Sequence, residues 1–120
     1  MTRFLLATDS VHTTAAALDY LEDRADVDAV VAVAVTDPAA PRDAADALNV
    51  VGARLTGVAV DRVERSGDPG PEILAAAADA DVDEILIGAH GGDPGAEGVG
   101  STARQVLAAA DRPVVVVPFP

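Results

Sequence analysis

Two kinds of hydrophobic spacing alternate along the chain. Phe4–Ala7 is a continuous apolar run ending at Thr8-Asp9-Ser10, the pattern of a strand buried on both faces. From His12 to Arg24, apolar Ala16, Leu18 and Leu21 are interleaved with Asp19, Glu22 and Asp23. That is helical spacing, with Ser10, Thr13 or Thr14 available as a cap. Ala29–Val35 is a second β-branched run, bounded by Asp28 and Thr36-Asp37-Pro38. Pro41 predicts the first turn of a second helix, which runs through Ala44, Leu48 and Val51 to about Leu55, with Gly57 after it. Val58–Val63 predicts a third strand. Gly67-Asp68-Pro69-Gly70-Pro71 reads as a turn, with Pro71 opening a third helix from Glu72 to Ala80. Glu72 then lies near the positive end of that helix. Glu84–Gly88 predicts a fourth strand, and a glycine-rich stretch follows from Gly88 to Gly100. Ser101 or Thr102 is expected to cap a fourth helix reaching Ala110. After Arg112-Pro113, Val114–Val117 predicts the fifth strand.

The resulting order, β-α-β-α-β-α-β-α-β, is that of an α/β fold. It predicts a single open five-stranded parallel sheet with helices on both faces. The 120 residues suit one domain over 1–120, with no linker and no internal repeat. In open sheets of this kind ligands bind beyond the carboxyl ends of the strands, where the strand order reverses. Two loops there have unusual composition: Thr8-Asp9-Ser10 after the first strand, and Gly88 to Thr102 after the fourth. In a strand order of 3-2-1-4-5 the two face each other.

The second loop carries six glycines in the thirteen positions from Gly88 to Gly100. Glycine lets the backbone approach a ligand closely. The loop ends at a helix start, where free N–H groups favour an anion, and Ser101 and Thr102 add hydroxyl donors. This is a phosphate-binding composition. It is not a Walker motif, which needs a Lys that this chain lacks. The dinucleotide pattern is poorly met, because the glycines follow the fourth strand.

Composition narrows the picture. Half the residues are hydrophobic, mostly Ala and Val, and the aromatics are Phe4, Tyr20 and Phe119. With no cysteine, a disulfide framework, a thiolate metal site and a Cys nucleophile are excluded. No run approaches a membrane span and no signal peptide is evident, so the expectation is a cytoplasmic protein that does not engage the membrane. The net charge is −12, from 20 acidic residues against 8 basic ones, all of them Arg. No basic patch is available to neutralise phosphates along a nucleic acid, so DNA and RNA are not expected partners. A self-repelling acidic surface is relieved by salt, since the Debye length falls to roughly 3 Å at molar concentration. The expectation is therefore a salt-rich, halophilic cytoplasm; an acidic protein of a GC-rich genome is the alternative.

The glycine spacing Gly88-x2-Gly91-x8-Gly100-Ser101 resembles the G-x2-G-x9-G-[ST] pattern of nucleotide-binding universal stress proteins, one residue short in the long gap. The segments Gly100–Leu107 and Asp111–Val117 are similar to that family's C-terminal helix and strand. Leu6-Ala7-Thr8-Asp9-Ser10 resembles its first strand and loop, and Gly67 with Glu72-Ile73-Leu74 its third crossover. The similarity covers nearly the whole chain, with the second helix region trimmed. It implies strand order 3-2-1-4-5 in a Rossmann-like, adenine nucleotide alpha hydrolase-like fold. It implies ATP or another adenine nucleotide as ligand; a Mg²⁺ or Mn²⁺ ion would bridge the acidic Asp93 or Glu97 of the glycine loop to a phosphate. Asp9 would sit at the adenine and ribose side, and Val35 would line the base. Gly88 and Gly91 would approach the ribose and phosphates, and Gly100, Ser101 and Thr102 would hold the phosphates. The resemblance also implies a homodimer through the last strand, Val114 to Val117, with Pro118 and Pro120 stopping that edge.

The remaining candidates are weaker. His90 lies in the glycine loop and His12 after the first strand, and either reads as solvated. Asp79, Asp81 and Asp83 alternate, as do Asp26 and Asp28, without the spacing of a calcium loop. Asp9, Ser10 and His12 have no nucleophile-elbow motif around them. No general base or Lys clamp is evident, so hydrolysis, if present, is expected to be slow. Two rivals stand beside the nucleotide reading. One is the same dimeric fold as an interaction module without nucleotide. The other is an enzyme of adenylyl or electron transfer, which needs more chain than this.

Overall fold

The structure, a computed structural model, describes residues 2–8, 11–24, 27–36, 41–55, 57–88 and 101–117. Five strands alternate with four helices: β1 (Thr2–Thr8), α1 (Val11–Glu22), β2 (Val27–Thr36), α2 (Pro41–Arg54), β3 (Ala59–Ser66), α3 (Pro69–Ala80), β4 (Glu84–Gly88), α4 (Ser101–Ala109) and β5 (Val114–Val117). All pairings are parallel and the order is β3-β2-β1-β4-β5, as expected from the resemblance. β1 is central, with Leu5 opposite Val31 on one side and Ile85 on the other.

The alternation of side chains along the strands splits the apolar residues into two cores, one on each face of the sheet. Phe4, Leu6, Val30, Ala32 and Leu86 meet Leu18 and Leu21 of α1 and Leu48 and Val51 of α2. Leu5, Val31, Val33, Ile85 and Ile87 meet Ile73 and Ala77 of α3 and Ala103 and Val106 of α4. Both faces of β1 and β4 are therefore sealed, which is why those strands read as unbroken apolar runs.

Three of the boundaries that differ from the sequence expectation have a clear physical reason. The third strand runs to Ser66 rather than Val63, because its outer residues pair in register with β2 as far as Thr36. That edge position tolerates charged Asp61, Arg62, Glu64 and Arg65, which hid the strand from a hydrophobicity reading. The third helix opens at Pro69, not Pro71. The Glu72 N–H donates to the Asp68 carbonyl at 3.1 Å, so Pro69 takes the first helical position and Pro71 the third, and neither position has an intrahelical partner for an N–H. Gly67, at φ +132°, turns the chain into it. In the fourth helix Ser101 is already the first helical residue, so Ser101 and Thr102 lie inside the first turn rather than before it.

The alternating aspartates have structural roles. Asp79 pairs with Arg65, Asp81 ends α3 in the left-handed region at φ 50°, and Asp83 accepts the Arg3 N–H at 2.8 Å. Among the described residues no group of three or more His, Asp or Glu side chains could hold a metal ion, and no helix is long and apolar enough to cross a membrane.

Candidate functional site

The strand order creates the site. From β1 the chain moves out through β2 to β3, then returns past β1 to β4. The segment leaving β1 enters α1 on one face, and the segment leaving β4 enters α4 on the other. The two helices start on opposite faces, and the strand order reverses at the carboxyl ends of β1 and β4, where open sheets of this kind carry a ligand crevice. All four helices begin at this end of the sheet, so their positive ends point toward it.

Thr8 closes β1. It is 5% exposed, and its hydroxyl donates to the Val33 carbonyl of β2 at 3.3 Å. Its side chain therefore ties two central strands together where the crevice begins. Sequence reading took this position only as part of a loop; the signal was a hydroxyl at the end of an otherwise apolar run. Val35 lies near the end of β2, half-buried, on the face shared with α3 and α4. Gly88 is the last residue of β4, opposite Val117. Thr102, half-buried, is the second residue of α4, behind Ser101.

The structure thus brings Val35, Gly88 and the start of α4 to one end of the sheet. Asp9, Gly91 and Gly100 lie outside the described residues, as do His90, Asp93 and Glu97. Of Ser101 and His12 only the backbone is described, each in the first turn of its helix.

Several arginines are engaged away from the crevice. Arg65 on β3 donates to Glu72 at 3.1 Å and Asp79 at 3.2 Å, and those hydrogen bonds, Glu72's first, hold its guanidinium above its ordinary value. Arg54 donates to Asp19 and Glu22, both at 2.8 Å, joining α2 to α1. An open groove of about 390 Å³ runs along β3 and α3, floored by Val31, Val63, Ala76 and Ala80. It lies at the β3 edge, away from the crevice.

The comparisons with known proteins agree with this geometry. The model of the universal stress protein family matches residues 17–118. No curated protein matches the chain in a sequence search. Among solved structures, UspA of Lactobacillus plantarum superposes with TM-score 0.75 at 23% identity, covering 97% of each chain. A universal stress protein family protein of Arabidopsis thaliana with AMP bound gives 0.72 at 18% identity, over 100% of this chain and 93% of the other. A universal stress protein of Archaeoglobus fulgidus in complex with dAMP gives 0.69 at 19% identity, over 98% of each. At these identities the structural likeness establishes the fold alone. The sequence model reaches further, spanning α1 to β5, and on that match the chain belongs to the universal stress protein family.

Proposed function

We propose that this chain acts as a single domain over 1–120 that binds an adenine nucleotide in the crevice at the carboxyl ends of β1 and β4. The observation that carries the reading is the placement of α4. Its first residue, Ser101, directly follows the glycine-rich stretch, and the helix starts at the same end of the sheet as Gly88 and Val35. Members of the family with this fold hold AMP and dAMP. Free N–H groups in the first turn of α4 would receive the phosphate, with the hydroxyls of Ser101 and Thr102 beside them. Val35 would offer an apolar wall to the base, and Asp9 a carboxylate to the ribose side. Gly88, Gly91 and Gly100 would let the backbone come close. Asp93 or Glu97 would hold a Mg²⁺ or Mn²⁺ ion that offsets their own charge beside a phosphate.

The same proposal makes the protein a cytoplasmic stress-response homodimer. β5 is an edge strand, hydrogen-bonded on one side to β4. Its four valines are half-buried, and Leu107 stands 46% exposed on α4, the helix that packs on β5. An edge strand with an apolar side chain beside it suits a second copy related by a two-fold axis. Sedimentation at twice the chain's mass supports this, and a monomer refutes it. The net charge of −12 supports a halophilic setting, and a melting temperature that fails to rise toward molar KCl would remove it.

Isothermal calorimetry with ATP and AMP, in molar KCl with Mg²⁺, tests the ligand. Saturable heat that is lost in Gly100→Val and weakened in Ser101→Ala supports the reading. No heat at millimolar nucleotide, from folded protein, leaves the dimeric interaction module as the account of this chain.

A further inference from the structure

α3 and α4 meet at a contact closer than any side chain on both helices would permit. Gly70, buried in the first turn of α3, faces Gln105 of α4. A Cβ on Gly70 would collide with Gln105 Oε1, and would stand 2.9 Å from Gln105 Cβ and 3.1 Å from its Cδ. Carbon atoms rest at about 3.5–4.0 Å, so such a Cβ would lie roughly half an ångström or more too close. The amide tip can swing into solvent. Gln105 Cβ cannot, because it is fixed to the helix backbone. Any residue other than glycine at position 70 therefore has to push α4 outward.

The seat of α4 has little else to fix it sideways. The helix has nine residues, and the fully buried ones among its described side chains are Ala103 and Val106. Arg104, Gln105, Leu107, Ala108 and Ala109 are exposed. α3 is the wall on one flank, and Gly70 is where the wall is thinnest. Gln105 lies four residues after Ser101, on the same helix face one turn behind it. A displacement at Gln105 is passed along a rigid turn to the first N–H groups of α4.

We propose that Gly70 is a positioning residue for the phosphate subsite: its missing side chain lets α4 sit against α3 with its first turn aimed at the crevice. The inference rests on the nucleotide reading above. It adds that the aim of the phosphate donors is set from α3, a helix outside the two loops that form the crevice. N–H···O bonds span only about 2.7–3.2 Å, so a shift of roughly half an ångström weakens them. The nucleoside half of the ligand would rest on β1 and β2, which α4 does not carry. The effect of moving α4 is therefore selective for the phosphate.

Calorimetry with AMP and with adenosine separates the two halves. Gly70→Ala is expected to weaken AMP about tenfold, the loss of one charge-assisted hydrogen bond, and to leave adenosine unchanged. The double variant Gly70→Ala with Gln105→Gly removes the opposing Cβ and is expected to return AMP affinity toward the wild type. Gln105→Ile thickens the same contact from an exposed position and gives the same selective loss, which keeps the test available if Gly70→Ala does not fold. Equal weakening of AMP and adenosine, or no weakening of AMP by either folded variant, overturns the positioning role. A wild-type chain that binds adenosine and AMP equally has no phosphate subsite, which overturns this inference and leaves a nucleoside site standing. A wild-type chain that binds neither overturns the nucleotide reading, and this inference with it.

Discussion

The two ends of the sheet are built differently. At the amino ends of the strands, side chains stitch neighbouring elements together. The Thr2 N–H donates to Asp28 at 2.7 Å, and the Arg3 N–H to Asp83 at 2.8 Å. Arg3 reaches the Ala80 carbonyl at 2.9 Å, and Arg112 the carbonyls of Ala77 at 3.0 Å and Val82 at 2.8 Å. Arg24 lies over the rings of Phe4 and Tyr20 and pairs with Glu84 at 3.7 Å. At the carboxyl ends, by contrast, Thr8 bonds to Val33, and the chain passes into the segments that would hold a ligand. Helix polarity explains the division. α3 presents its last carbonyls to the amino end, where Arg3 and Arg112 satisfy them. Helix starts face the carboxyl end, where their free N–H groups suit an anion. Arg3, Arg24 and Arg112 thus gather at the amino end, while Arg65, near the carboxyl end of β3, is engaged by Glu72 and Asp79.

If the amino end carries stability and the carboxyl end carries binding, variants should separate the two. The largest effect is expected from Arg112→Ala. It removes the Arg112 donor from the Val82 carbonyl and from the Ala77 carbonyl, which keeps the Val82 N–H at 3.3 Å, beneath a side chain that is only 16% exposed. The expected loss is about 2 kcal/mol in urea unfolding, with nucleotide affinity unchanged in folded protein. A parallel loss of affinity would break the comparison. Arg24→Met is expected to cost about 1 kcal/mol, since it keeps much of the apolar stem but forfeits two ring contacts and the pairing with Glu84. Its affinity should also be unchanged, and a stability equal to wild type would show that the stacking is incidental.

Much of the fold was legible in the sequence, for identifiable reasons. Phe4–Ala7, Glu84–Gly88 and Val114–Val117 are apolar on both faces, because helices cover both sides of the sheet, and such runs announce themselves. β3 was only half legible. Its outer part, Glu64 to Ser66, is charged because an edge strand needs no covering layer, and hydropathy cannot distinguish that from a loop. The start of α3 was misplaced by two residues because Asp68-Pro69-Gly70-Pro71 offers two prolines, and only the Glu72 to Asp68 hydrogen bond decides between them. For the candidate site, glycine spacing pointed to Gly88 and Ser101, since backbone proximity to a ligand demands a residue type. Thr8 and Gly70 were not legible. Their importance comes from a partner 25 or more residues away in the chain: Val33 for one, Gln105 for the other.

At the carboxyl end Ser101→Ala should do the reverse of the arginine variants. Ala is a better helix former than Ser, so folding stability is expected to stay within about 0.5 kcal/mol of wild type. AMP affinity is expected to fall by about 1 kcal/mol, the worth of one hydroxyl donor. Thermal melting beside calorimetry reads both. A Ser101→Ala chain that melts early yet binds normally would invert the comparison and make the hydroxyl a structural group.

The smallest effect sharpens the amino end through pH. The Asp111 carboxylate accepts from Arg112 Nε at 2.9 Å, and that hydrogen bond, followed by the guanidinium's charge, holds its pKa below the ordinary value. A carboxylate depressed in the folded state adds stability above its unfolded pKa and loses it as pH falls through the folded one. The increment is small because the Asp111 side chain is 80% exposed. It also runs against a larger background, since acid neutralises a chain of net charge −12 and relieves its repulsion. Wild-type melting alone would therefore hide it, and the quantity to measure is the difference from Asp111→Asn. That difference should favour wild type at neutral pH and vanish below the ordinary carboxylate range. Arg112→Ala should abolish it, and an NMR titration of that variant should return Asp111 to the ordinary carboxylate range. A difference that persists into acid would mean that Asp111 acts through packing or capping. The amino end would then be held by its backbone carbonyls and not by charge.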